Sequence, residues 1–306
     1  MLLFIPTLVG AAVLIFLAMH LIPGSVAYAI LGEDASPENV LIVEKQLGLD
    51  KPQYIQFVTW MRQMVTWDLG DSLLQRVPVT DLIREAIPIS VTLAIYSMVL
   101  TLILAIPIGI LAAVRQDTWV DYVLRAGSIT GLALPTFWTG IIILFVLIRL
   151  LGWSPSLDYV GFFDNPWRNF LQMIWPALAV SSYLIGVIVR MTRSALLEVL
   201  REDYVRTARA KGLAERVVLV RHALANAMLP VVTIAGIQFA HMLGGFIVTE
   251  QVFNLHGLGM LIVNSALARD YPVIQNLFLF TVVLTLTVNL LVDLSYGILD
   301  PRIRQS

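Results

Sequence analysis

Apolar residues run along this chain in long blocks, and polar residues gather between them. A helix that crosses a bilayer needs about 20 mostly apolar residues. Six blocks meet that length: Leu2–Ile22, Ile89–Leu111, Ile129–Ile148, Met173–Val189, Leu229–Ile247 and Ile274–Leu294. Pro107, Pro135, Pro176, Gly244 and Gly245 fall inside them. Membrane helices accept such residues where neighbouring helices satisfy the freed backbone groups. Six spans are therefore predicted. The first block is read as a retained span. Ala27-Tyr28-Ala29 has the form of a signal-peptide cleavage site, but the apolar run is too long for an h-region and no basic n-region precedes it.

The polar segment between the first two spans carries its own helical signals. Ser36, Pro37 and Glu38 read as N-cap, N1 and N2, and Gly48 as a stop. Asp50, with Gln53 three residues on, reads as the start of a second helix. Tyr54, Phe57, Val58, Met61 and Val65 then give one apolar face. Two amphipathic helices are expected, lying on the membrane surface or packed on the bundle. A helical cap is the plain reading; a docking platform for an external partner is the sharper one.

Composition agrees with a membrane protein. Of 306 residues, 58% are hydrophobic and 13% charged, against about 25% charged in a soluble domain. The net charge of −1 gives no argument for a nucleic-acid partner, and none is expected. With no cysteine there is no disulfide framework or thiolate chemistry. The basic residues decide orientation. Arg193, Arg201, Arg206, Arg209, Lys211, Arg216 and Arg221 crowd the connection before the fifth span, and Arg302 and Arg304 follow the sixth. The positive-inside rule makes both segments cytoplasmic. With six spans, both termini are then cytoplasmic and the segment from residue 23 to 85 is external. The expected organisation is a first span at 1–22, an external amphipathic helical segment at 23–85, and a five-span core at 86–306 whose cytoplasmic loop covers 192–228.

Enzymatic chemistry finds no support. The chain lacks a G-x-x-x-x-G-K-[ST] loop, an H-E-x-x-H pair and a G-x-S-x-G elbow. His20, His222, His241 and His256 lie on different segments without metal-ligand spacing, so no metal site is expected. Polar residues within spans are few. Gln238 and His241 share a face of the fifth span, and Asn289 and Asp293 share one of the sixth. Ionisable groups at membrane depth raise the possibility of a translocation pathway; hydrogen bonding between helices is the alternative.

The cytoplasmic loop holds "EDYVRTARAKGLA" at Glu202–Ala214. Acids open this stretch, cations close it, and Gly212 stands where a helix stops. A second helical run begins near Glu215 and reaches Leu229-Pro230. Helix, tight Gly turn, helix is the expected form. Ala208 and Ala210 are small enough to let a partner surface approach, with Tyr204 as an anchor and charge around it. A basic loop resting on lipid headgroups is the alternative.

The spacing Thr207-Ala208, Gly212, Leu229-Pro230 resembles the EAA loop of ABC importer permeases, in the form seen in the peptide/nickel branch. "LIPG" at Leu21–Gly24, "LGLDKP" at Leu47–Pro52, "DLGDS" at Asp68–Ser72, "LPTFW" at Leu134–Trp138, "RDYP" at Arg269–Pro272 and "VNLLVDLSYGILDPRIR" at Val288–Arg304 are similar to that branch too. The resemblance implies an all-α polytopic protein of the bacterial inner membrane with six spans, the type I ABC importer permease fold. It implies a non-catalytic subunit that carries dipeptides or oligopeptides; nickel chelates or another small solute are the family's alternatives, and a stand-alone secondary transporter is the outside reading. It also implies a second permease, two cytoplasmic ATPases that bind the ATP and Mg, and an external binding protein. Asp203, Tyr204, Arg206, Thr207, Ala208, Arg209, Ala210, Lys211 and Gly212 would form the ATPase-coupling helix. Asn254, His256, Gly257 and Gly259 would face the binding protein. Members begin with several arginines before the first span and this chain has none, which leaves room for a longer native N-terminus.

Overall fold

The computed structural model describes residues 4–21, 26–32, 35–46, 48–156 and 158–299. The side chains of residues 26, 29, 30, 46, 293 and 295–299 lie outside that description. Regular structure among the described residues is helical, apart from one isolated bridge between Asp71 and Pro78. Two compact units emerge. The first comprises Met1–Ser90, Gly244–Ile247 and His256–Thr287, and the second Val91–Leu243, Val248–Leu255 and Val288–Ser306.

In the first unit, α1 (Phe4–Leu21), α2 (Val26–Leu31), α3 (Pro37–Gln46) and α4 (Gln53–Thr66) precede the start of α5 (Val79–Val114). Ser36 does act as the cap of α3: its hydroxyl accepts from the Asn39 amide at 3.4 Å. Gly48 ends the turn with φ +69°. Two details of the second amphipathic helix differ from the sequence reading. Its cap is Pro52, not Asp50, because the ring holds φ at −53° with ψ 141° and the helix starts on the next residue. Its buried face is Phe57, Trp60, Met61 and Met64, packed with Ala12, Phe16 and Leu279. Tyr54, Val58 and Val65 are exposed. The stripe is rotated because Trp60 has the largest apolar surface to bury and a polar edge to satisfy: its Nε1 donates to Asn276 Oδ1 at 2.8 Å. Asn276 in turn donates to the Leu69 carbonyl at 2.8 Å. The Ser72 hydroxyl donates to the buried Asp270 carboxylate at 2.5 Å. So the polar segment is fastened by buried hydrogen bonds to the start of α14 (Tyr271–Leu299) rather than floating on a surface. Leu69, Val79, Ile83, Ala86, Leu258, Ile262, Val273 and Leu277 complete this core, with α13 (Leu258–Leu267) supplying two of them.

The second unit holds the rest of α5, then α6 (Trp119–Ala133), α7 (Thr136–Val146, prolonged by a π-helical turn to Leu151), α8 (Pro166–Val199), α9 (Asp203–Ala210), α10 (Glu215–Val217), a π-helical stretch Val218–Leu224, α11 (Ala225–Met242) and α12 (Ile247–Val252). The long helix α8 is its axis. Gly131 and Gly186 bring α6 and α8 into backbone contact: a Cβ at either would meet a carbonyl of the other helix, Ser182 at 2.6 Å or Ser128 at 2.5 Å. Asn169, fully buried, donates to the Tyr159 hydroxyl at 3.2 Å and the Val160 carbonyl at 2.7 Å, and accepts from Tyr96 at 2.9 Å, which pins the loop before α8.

Among the described residues, five helices are long and apolar enough to cross a membrane, or six when α6 and α7 count as one broken span. They expose large apolar groups such as Ile103, Phe145 and Leu291, which suits lipid or another helix rather than water. Three spans differ from the sequence reading. The third is not continuous: α6 and α7 meet at 101°. Pro135 disfavours helical backbone at Leu134, which sits at φ −84° and ψ 126°. The fourth, with 34 residues, is twice the predicted length: it runs on past the apolar block at both ends, burying Asn169, Gln172 and Thr192 while Arg168, Arg190 and Glu198 stay exposed. The fifth stops at Met242, five residues early. Gly245 has φ +95° and turns the chain there; a Cβ on it would meet the Gly259 amide at 2.8 Å. Gly244 and Gly245 are thus a turn, not the outer end of a span. The expected boundary at residues 85 and 86 falls within α5.

Candidate functional site: the loop between the fourth and fifth spans

The connection from α8 to α11 folds as a helical hairpin. A short turn at residues 200–202 leads from α8 into α9, whose first residue is the acidic Asp203. The Thr207 hydroxyl donates to the Asp203 carbonyl at 2.9 Å. Lys211 caps the helix, and Gly212, at φ +78°, reverses the chain while its amide donates to the Arg209 carbonyl at 2.9 Å. The return path runs without a break from Glu215 to Met242, about 42 Å at 1.5 Å per residue. The hairpin is therefore a rigid extension of a spanning helix.

Three contacts hold α9 against that return path. Val205 and Ala208 are buried on Val218, with Val199 and Leu200 beside them. The Arg209 guanidinium grips the Glu215 carboxylate with two bonds, Nη2 to Oε1 at 2.7 Å and Nε to Oε2 at 3.1 Å, closing the Gly turn from outside. That pairing raises the guanidinium pKa above its ordinary value. The Tyr204 hydroxyl accepts from Asn226 at 2.8 Å and donates to the His222 carbonyl at 3.4 Å.

The outward face carries Asp203, Arg206, Thr207, Ala210, Lys211 and Gly212, all exposed. Tyr204 and Arg209 are exposed as well, although their polar ends are tied within the hairpin. Ala208 departs from the sequence reading. It faces its own chain, 6% exposed, and its small side chain lets α9 lie close on Val218 rather than admitting a partner. Sequence reasoning missed Val205, although it is the one large apolar residue in a polar helix. It also missed the Arg209–Glu215 pair, which is apparent only once the turn brings residues six apart together.

The remaining candidates are scattered. Gln238 is half-buried and His241 exposed on α11. Asn289 is half-buried on α14, and the Asp293 side chain lies outside the described residues. Asn254 sits at φ +52°, its amide donating to the Gln251 carbonyl. His256 is exposed, Gly257 is the N-cap of α13, and Gly259 is buried against Gly245. Among the described residues, Asp121, Glu250 and Asp270 are buried carboxylates; the sequence reading passed over the first two and met Asp270 only inside "RDYP".

A family model described as "Binding-protein-dependent transport system inner membrane component" matches residues 105–305. A second, for the N-terminal part of that membrane component, matches residues 2–94. The chain belongs to this family. It is therefore a multi-pass inner-membrane transport component of the type I ABC importer permease fold, a permease subunit rather than an enzyme. Systems of this class include an ATPase and a substrate-binding protein. The permease is 41% identical over 300 residues to a putative peptide transport system permease protein of Brucella abortus, covering 98% of this chain and 96% of the relative. It is 37% identical over 324 residues to the dipeptide transport system permease protein DppB of Alkalihalophilus pseudofirmus, covering 99% and 97%. It is 40% identical over 300 residues to the glutathione transport system permease protein GsiC of Salmonella choleraesuis, covering 98% and 95%.

Proposed function

We propose that this permease forms half of the translocation pathway of a peptide importer, pairs with a second homologous permease, and is driven through the Asp203–Gly212 hairpin by a cytoplasmic ATPase. The carrying observation is the hairpin itself: a short helix clamped by Arg209–Glu215 onto a helix that continues to Met242. A loop resting on lipid has no need of that rigidity. ATP and Mg belong to the ATPase subunits. ATP binds the two states of the ATPase pair unequally, and that difference supplies the energy. The hairpin passes the displacement to the spans on either side of it. Both termini and the hairpin are cytoplasmic, while the 23–85 segment and the loop with Asn254, His256, Gly257 and Gly259 face the binding protein. Gln238, His241, Asn289 and Asp293 border the pathway. Peptide cargo is supported by the names of three relatives aligned over nearly the whole chain.

The test reverses charge on the outward face without touching the clamp. Arg206→Glu with Lys211→Glu should insert normally but lose the ATPases on purification and lose dipeptide uptake. Full ATPase retention with normal uptake would sink the docking assignment.

A further inference from the structure

We propose that Asp121 and Arg193 are positioning residues that join the third and fourth spans into one transmission body, so that displacement of the hairpin moves both together. This rests on the hairpin reading above.

The observations come from the second unit alone. Asp121, near the start of α6, is 0% exposed. Arg193, close to the end of α8 that leads into the hairpin, meets it with two bonds, Nε to Oδ1 at 2.8 Å and Nη2 to Oδ2 at 2.7 Å. Arg125, one helical turn on, lies 3.5 Å from Oδ1. The Asp117 amide donates to Oδ2 at 3.1 Å, which ties in the short connection from α5. On α5, Gly109 packs at the same level: a Cβ there would meet Thr192 Cβ at 2.6 Å and the Val189 carbonyl at 2.9 Å. Three elements thus converge on one turn of α8.

Adhesion alone does not call for this pair. Well-packed apolar side chains of similar volume hold buried surfaces together as well or better, and the glycine contacts at Gly131 and Gly186 already do so. Apolar contact, however, lets two helices slide or rotate by small amounts at little cost. A bidentate guanidinium–carboxylate pair does not, because both bonds fix one plane and one register. Placed between the hairpin and the broken span α6–α7, it converts a push on the end of α8 into a movement of α6.

The experiment uses the complete transporter in proteoliposomes with its binding protein, measuring basal ATP hydrolysis, stimulated hydrolysis and peptide taken up per ATP. Asp121→Asn keeps the size and removes the charge; Arg193→Lys keeps the charge and removes the fork. Both should retain the ATPases and basal hydrolysis, and both should lower uptake per ATP by about tenfold, within the roughly 2- to 30-fold range for residues on a coupling path. The double variant should be no worse than either single one. Arg125→Ala, which leaves the two bonds in place, should stay near wild type. Unchanged uptake per ATP in Arg193→Lys overturns the proposal. So does a parallel fall in uptake, hydrolysis and thermal stability, which marks a merely structural pair. If Asp121→Asn fails to fold, Arg193→Lys and Arg125→Ala decide the matter. Loss of the ATPases in the Arg206/Lys211 charge reversal tests the hairpin reading separately.

Discussion

Gly212 offers a perturbation whose size follows from backbone geometry alone. It sits at φ +78°, and a Cβ placed there would meet no atom within 4 Å. Side-chain bulk is thus irrelevant for small substitutions, and only the conformational preference of the new residue counts. A residue with a Cβ in the left-handed region costs about 1–2 kcal/mol. Asparagine tolerates that region better than alanine, and a β-branched valine tolerates it worse. Proline cannot adopt it at all, since its φ is held near −65°. Proline also removes the amide that donates to Arg209 at 2.9 Å. Against this stand the Val205–Ala208–Val218 contact and the Arg209–Glu215 pair. The pair has 41% and 64% exposed side chains, so it contributes only about 0.2–1 kcal/mol. An alanine penalty of about 1–2 kcal/mol therefore opens the turn about 5- to 30-fold more often. The expected order of hairpin integrity is Gly212, then Asn, Ala, Val and Pro. Hydrogen exchange of the 206–217 peptide reports opening directly, and ATPase co-purification should fall in the same order. If alanine equals or exceeds asparagine, the left-handed turn is not what holds the hairpin and the reasoning fails.

Two further predictions follow the same geometry. Gly186→Ala should lower the melting temperature in detergent by several degrees. Its Cβ would meet the Ser128 carbonyl at 2.5 Å and Leu132 Cγ at 2.6 Å, an overpacking that costs about 1–3 kcal/mol. Gly127→Ala, on the partner helix α6 but with open space around it, should leave the melting temperature unchanged or raise it; equal losses at both positions would contradict close α6–α8 packing. The chain has no cysteine, so single cysteines report topology cleanly. Tyr54→Cys, at an exposed position, should react with an impermeant maleimide on intact cells, and Lys211→Cys only after lysis. The reverse pattern would invert the proposed orientation.

Much of this architecture is legible in the order of residues. Span positions follow from the lengths of apolar blocks, since lipid demands an unbroken apolar surface whatever the neighbours are. The α9 helix and its stop follow from Asp203 and Gly212, because capping and left-handed backbone are local matters. What failed in the reading depended on partners distant in sequence. Pro135 lies in an apolar block like Pro176, yet α7 breaks away at 101° while α8 runs on through Pro176. Trp60 rather than Tyr54 faces inward because Asn276, 216 residues away in the chain, offers it an acceptor. Ala208 turned inward because Val218 was there to receive it. Asp121 drew no reading from the sequence, because only the packing of α8 places Arg193 across from it. Periodicity and capping are properties of neighbouring residues, and the chain order contains them. Which face is buried, and which charge finds a partner, are decided only when separate helices pack.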